Sequence, residues 1–214
     1  MDCIKEIANA SFLAMGTTRI GKSDLVATPA WQKCTAVRKI GVGRRDRCET
    51  DKWDCTYRLP FNAAGFDKLR EIMASETKYS VVLEFGIPHQ KPGDLKRDGR
   101  ILASILEQAK QPVRLMIDAF EYCASSELAT VSKRNPNIIV GYCFHSLDKL
   151  SEYEVTHPEA DAHIFLRSYG SETIDLASRL LGNPQQGNAV GRYAYGQYVF
   201  IPPDGHVFKG SFIE

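Results

Sequence analysis

The segment Gly16-Thr17-Thr18-Arg19-Ile20-Gly21-Lys22-Ser23 constrains this chain more than any other. Its spacing is G-x-x-x-x-G-K-S, and it follows the apolar run Phe12-Leu13-Ala14-Met15. Together they predict a strand that enters a tight phosphate-cradling loop, the P-loop pattern, with a helix behind it. Glycines let such a loop curl until successive backbone N–H groups converge on a polyphosphate. Gly16, Thr17, Thr18, Arg19, Ile20 and Gly21 are candidate contacts along the loop. Lys22 would reach the β- and γ-phosphates as a point charge, and the Ser23 hydroxyl would ligate Mg²⁺. A helix beginning near Lys22 would add the positive end of its dipole. The bland alternative is a glycine-containing surface loop between two elements.

The 214 residues suffice for one sizeable core, and 43% hydrophobic with 25% charged residues is ordinary globular composition. A net charge of +1 announces neither nucleic acid nor membrane. Any DNA contact must then come from local clusters or from a ring of subunits that concentrates them. The six cysteines form no C-x-x-C pair, and Cys48 to Cys55 is too wide for a zinc knuckle. Reduced thiols in a cytoplasmic protein are the expectation. Lys5, Glu6 and Asn9 interrupt any apolar leader, and no run of about 18 apolar residues predicts a membrane span.

Along the chain, residues 11–15 predict a strand, and Lys22–Thr28 the first turns of a helix that Pro29 kinks or ends unless it sits in the opening turn. Thr35–Val42 alternates as a strand, before the basic turn Gly43-Arg44-Arg45-Asp46-Arg47. Residues 48–60 predict irregular chain or a short strand at Cys55–Arg58. Asn62 can cap a helix to about Ser75 with Phe66, Leu69 and Ile72/Met73 on one face. Further strands are expected at Tyr79–Phe85, Val113–Asp118, Asn137–Phe144 and Ala162–Leu166. Helices are expected at Asp94–Lys110, 121–133 and Ser171–Leu181, the last with a serine cap and Gly182 beyond its end. Pro202-Pro203-Asp204-Gly205 between Tyr198–Ile201 and Val207–Ile213 signals a hairpin. Short apolar strands alternating with amphipathic helices predict an α/β fold with a mostly parallel sheet covered on both faces. One domain, residues 1–214, is the economical division.

In open parallel sheets, ligands bind beyond the carboxyl ends of the strands. The polar residues expected there are the loop itself, Glu84, Asp118 with Glu121, His145 with Ser146, and Arg167. Val113–Asp118, an apolar run ending in aspartate, has the form of a Walker B strand whose carboxylate holds the Mg²⁺ shell opposite Ser23. His145 either senses the γ-phosphate or is an ordinary loop or core histidine. A cysteine nucleophile, Cys143 or Cys123 with His89, His145 or His163, finds no support in the spacing. Arg38, Lys39, Arg44, Arg45 and Arg47 form either a phosphate-backbone contact or a solvated face balanced by Asp46, Glu49 and Asp51.

In the order of these stretches, the chain resembles the FtsK–HerA superfamily of P-loop ATPases. Within it, the chain is similar to the small genome-packaging ATPases of tailless icosahedral viruses with an internal membrane. The likeness rests on Phe12–Met15 running into Gly16–Ser23, on Arg114–Asp118, and on Asn137–His145. It continues through Ala160–Arg167, the Ser171–Leu181 segment and the closing hairpin from Gln197. The resemblance implies a P-loop NTPase three-layer sandwich with a C-terminal β-hairpin. It further implies ATP and Mg²⁺ as cofactors and a homo-oligomeric ring, usually hexameric, coupling ATP hydrolysis to movement of double-stranded DNA. A viral capsid or portal vertex would be a partner, in host cytoplasm or virion. Lys22, Glu121 or Glu84, His145 and an arginine from a neighbouring subunit, Arg167 or Arg179, would carry the chemistry. The sequence departs from the family at Ala119, where a glutamate normally follows the Walker B aspartate, at His145 in place of a glutamine, and at Pro29. Two rival expectations stand beside the motor: a small P-loop kinase, and a nucleotide-binding assembly protein that has lost hydrolysis.

Overall fold

The computed structural model of the chain describes residues 3–44, 50–86 and 92–213. Among them are nine strands: β1 (Phe12–Met15), β2 (Arg38–Arg44), β3 (Tyr57–Pro60), β4 (Tyr79–Phe85), β5 (Val113–Ile117), β6 (Ile138–Phe144), β7 (Ala162–Phe165), β8 (Gln197–Ile201) and β9 (Phe208–Ser211). They form one sheet in the order β3-β4-β2-β5-β6-β1-β7-β8-β9. The first seven in that order are parallel, and β8 and β9 pair antiparallel at the end. The hairpin expected around Pro202–Gly205 is therefore present, closed by Gly205 N–H donating to Pro202 O and by φ +79° at Gly205.

Strand side chains alternate between two buried layers, which makes the fold a three-layer sandwich. Leu13, Met15, Val42 and Ile117 pack on one face with Phe66, Leu69 and Leu102 from the helices Ala63–Ser75 and Pro92–Glu107. Phe12, Ala14, Met116 and Cys143 pack on the other with Val26, Trp31 and Trp53. There the two indoles stack with centroids 5.0 Å apart. The close approach is possible because residue 41 is glycine, where a Cβ would lie 2.5 Å from Trp53. Arg114, buried at the start of β5, donates to Ala10 O at 2.5 Å and Ile7 O at 3.0 Å, fastening the helix Cys3–Ile7. Burial lowers its pKa to about 10. No helix of the described residues is long and apolar enough to cross a membrane.

Local rules predict the Asn62 helix well: Asn62 Oδ1 accepts from Gly65 N–H at 3.2 Å, and Phe66, Leu69 and Ile72 are buried. Elsewhere the structure decides or corrects the sequence reading. Of the two outcomes left open at Pro29, the structure shows the opening-turn one, and the proline neither ends nor breaks the helix after the loop. Lys22–Ala27 winds as a π-helix in which Thr28 N–H donates to Ser23 O, and Thr28–Lys33 continues as α-helix with Pro29 in its opening turn. The wider turn moves the carbonyls that a proline ring would otherwise strike. Strand β2 does not stop at Val42, because its pairing with β4 continues through Gly43 and Arg44. Arg45, Asp46, Arg47, Cys48, Glu49 and His89 lie outside the described residues. The helix expected at 121–133 is broken. Ser125 adopts extended backbone and caps a new turn, Ser126–Ala129, by accepting from Leu128 N–H at 3.1 Å. Ser171 is not a cap: Gly170 holds that position, while the Ser171 hydroxyl donates to Asp148 Oδ1 at 2.9 Å. Gly182, at φ +62°, ends that helix as expected.

Candidate functional site

The loop after β1 is tied to both neighbouring strands. Gly16 N–H donates to Phe144 O and His145 O beyond β6, and Thr17 N–H donates to Arg167 O beyond β7 at 2.7 Å. A Cβ at Gly16 would lie 2.9 Å from both Ile20 Cγ2 and Leu166 Cβ, so no larger residue fits. Gly21 has φ +97°, the left-handed conformation that opens the Lys22 turn. The buried Lys22 ammonium donates to Gly16 O at 2.5 Å and Thr17 O at 2.8 Å, inside the curl of its own loop.

Beside the loop, Ser23 Oγ donates to Asp118 Oδ2 at 2.6 Å, and Asp118 Oδ1 accepts from Ala119 N–H at 3.1 Å. A hydroxyl and a carboxylate so close are a hard-oxygen donor pair. They suit a divalent cation such as Mg²⁺, which completes its shell with waters and phosphate oxygens. Ala119 then turns the chain through φ 57°, ψ 49° into the 3-10 turn Phe120–Tyr122. That turn buries the Glu121 side chain, 5% exposed, with Oε1 2.6 Å from His145 Nδ1. His145 Nε2 lies 2.8 Å from Thr18 Oγ1. Among the described residues, both Glu121 carboxylate oxygens are nonetheless buried without a hydrogen-bond partner, so the imidazole is a close neighbour of the carboxylate rather than a donor to it. His145 is thus joined to the loop by a hydrogen bond, with the Glu121 carboxylate packed beside its ring.

Three hollows adjoin the loop. One of about 90 Å³ is lined by Lys22, Ser23, Arg44, Asp118 and Glu121, among others. Another of about 240 Å³ lies between Arg19, Gly21, Asp24 and the exposed ring of Tyr195. A wider cleft of about 550 Å³ extends from Thr17 and Thr18 past His145 to Lys149 and Tyr169.

Of the residues singled out in the sequence, the structure brings together Gly16–Ser23, Asp118, Glu121 and His145. Glu84 is elsewhere: on β4, two strands from β5, it pairs with Arg58 at 2.7 Å and does not line these hollows. Arg167 meets the loop through its carbonyl oxygen, not its guanidinium. Arg179 is exposed beside a separate hollow with His157 and Glu172. Cys123 and Cys143 are fully buried, and burial pushes both thiols well above the usual range, which removes them as nucleophiles. Sequence reasoning named Arg44 only as a phosphate-backbone contact or part of a solvated face, not beside the loop, and it missed Tyr195. Arg44 would have joined the strand-end residues had β2 been extended by two positions. Tyr195 carries no motif signal.

No protein-family model matches the sequence, and no curated protein matches it. Solved structures do. B204, the genome packaging NTPase of Sulfolobus turreted icosahedral virus 2, solved in complex with AMP, superposes with a TM-score of 0.61 at 11% identity, over 96% of this chain and 99% of that one. B204, the DNA-packaging ATPase of Sulfolobus turreted icosahedral virus, gives 0.59 at 12% identity, over 96% and 98%. The chain has the P-loop NTPase fold. The same P-loop fold aligns with VirB4 of Thermoanaerobacter pseudethanolicus, with a TM-score of 0.64 at 9% identity over 94% of this chain and 88% of that one. At such identities the likeness speaks for the fold, and the chemistry rests on the residues just described.

Proposed function

We propose that the chain is an ATP-hydrolysing motor that moves double-stranded DNA, working as a ring of identical subunits in viral genome packaging, at a capsid or portal vertex. The observation that carries the ATPase reading is the Ser23–Asp118 hydrogen bond, which joins the loop to an aspartate-ended strand 95 residues away. The similarity to B204, itself a genome packaging NTPase, supports the packaging role.

In this reading the backbone of residues 17–23 and Lys22 bind the polyphosphate. Lys22 exchanges its bonds to Gly16 O and Thr17 O for phosphate oxygens. Ser23 and Asp118 would hold Mg²⁺, which would supply charge neutralisation for the polyphosphate. Glu121 takes the proton of the attacking water, oriented by His145. As the new bond from the water oxygen to Pγ forms, the bond from Pγ to the bridging oxygen breaks and its electron pair leaves on ADP. Thr18, bonded to His145, reports occupancy of the γ-position to Glu121.

The test is phosphate release by the full chain with and without double-stranded DNA, beside Lys22→Ala. Stimulation by DNA and loss of turnover in the variant are expected. Unchanged turnover in Lys22→Ala would overturn the ATPase reading. Tight ATP binding without turnover under any condition would select the assembly-protein alternative.

A further inference from the structure

Arg44 is the last residue of β2, and Asp118 N–H donates to Val42 O just before it, so Arg44 stands level with the turn that follows β5. Strand β2 and strand β1, which carries the loop, have β5 and β6 between them. Arg44 and Lys22 therefore approach the 90 Å³ hollow from opposite sides, with Asp118 and Glu121 between. The guanidinium does not hang loose: its Cζ lies 5.1 Å from the centre of the Tyr122 ring, with Nη1 3.5 Å from the phenol oxygen. Tyr122 is itself fixed by the Ala119 turn and by Phe85, 6.2 Å away between ring centres.

We infer that Arg44 is a catalytic arginine acting in cis, contacting the γ-phosphoryl group bound on its own subunit's loop. The inference rests on the ATPase reading above. Phosphoryl transfer spreads charge over the three equatorial oxygens and the leaving bridge oxygen, and catalysis is mostly positioning and stabilisation of that charge. A guanidinium offers a planar fork of donors for such oxygens and exchanges no proton in the step. Contact with the Tyr122 ring and its hydroxyl holds the guanidinium near this position before the nucleotide arrives, which limits the side-chain entropy lost on binding. The site then contains its own charge-stabilising arginine, and a neighbour need not supply one.

The experiment compares wild type, Arg44→Ala, Arg44→Gln and Arg44→Lys for phosphate release and for binding of AMPPCP. Both neutral variants should lose about 10³-fold or more in kcat, the scale of an arginine finger. Their AMPPCP affinity should change only a few-fold, which also shows that they fold. Arg44→Lys should recover part of the rate, because it restores the charge without the fork. Mixing Arg44→Ala with Lys22→Ala decides between cis and trans. In cis, no mixture recovers activity, since neither subunit has both groups at one site. Recovery in the mixture would place the arginine in trans and overturn the inference, as would near-normal kcat in Arg44→Ala beside an active wild type. An inactive wild type would instead overturn the ATPase reading itself.

Discussion

Ser23 and Asp118 lie 95 residues apart in the chain and share a 2.6 Å hydrogen bond across the mouth of the loop. Asp118→Asn keeps the shape of that contact and removes the charge that a divalent cation needs. Mg²⁺-dependent phosphate release should fall by at least about 10²-fold, the scale of losing one preorganised electrostatic group. A magnesium titration of turnover checks this. Equal activity in the variant at every concentration would remove Asp118 from the cation site.

Glu121 and Glu84 make a paired test. Glu121→Gln should lower kcat by about 10²- to 10⁴-fold, the contribution of a positioned general base, with AMPPCP still bound. Glu84→Gln removes a charge from the Arg58 pair, away from the loop, and should change kcat less than about threefold. If the two variants exchange these effects, the water-positioning carboxylate is Glu84.

Ala119 occupies the left-handed region at φ 57°, which costs a residue with a β-carbon about 1–2 kcal/mol. Ala119→Gly should relieve part of this, offset by greater freedom in the unfolded chain. A gain of about 0.5–1 kcal/mol corresponds to a rise in Tm of about 1–4 °C for a chain of this size. Calorimetry measures it, and a lower Tm would show that the alanine methyl contributes packing that outweighs its strain.

Asp148 carries a pH prediction. Burial alone would push its carboxyl up, but hydrogen bonds onto the carboxylate, from the Glu172 N–H and the Ser171 hydroxyl, outweigh burial and hold it below the usual range. With the folded pKa below the unfolded one, the unfolded chain binds more protons as pH falls. The stabilisation is therefore complete above the ordinary carboxylate pKa of about 3.9 and is lost as pH falls through the folded value. Asp148→Asn should cost about 1 kcal/mol at pH 7, the worth of a capping contact, and less near pH 3. Urea unfolding at both pH values checks it, and a cost independent of pH would assign the effect to packing.

Much of this architecture is local and so legible before folding. The Asn62 helix has its cap and its apolar face within a few residues of each other, and the loop is a contiguous pattern. What was not legible depends on register and distance. The end of β2 is set by its pairing with β4, so Arg44 looked like part of a basic turn rather than a site residue. Glu121 reaches His145 only because Ala119 turns left-handed, a conformation that alanine does not advertise. Glu84 lies one residue before the end of β4 and Asp118 one residue past the end of β5, and only the order of strands, with β2 between them, separates their surroundings. Whether Pro29 falls inside a helix or in its opening turn depends on the π-helical turn before it, which has no sequence signature.

The stacked indoles of Trp31 and Trp53 are the chain's only two tryptophans, and both lie on the face that carries the helix leading out of the loop. Tryptophan emission and near-ultraviolet tryptophan dichroism of this protein consequently originate from one spot. A denaturation curve followed by selectively excited tryptophan emission records the release of that layer alone. It is blind to the layer built from Ala63–Ser75 and Pro92–Glu107, which far-ultraviolet ellipticity does sample. Coincidence of the two curves would mean that both faces of the sheet let go together. A gap between them would reveal which layer yields first, without a label being added.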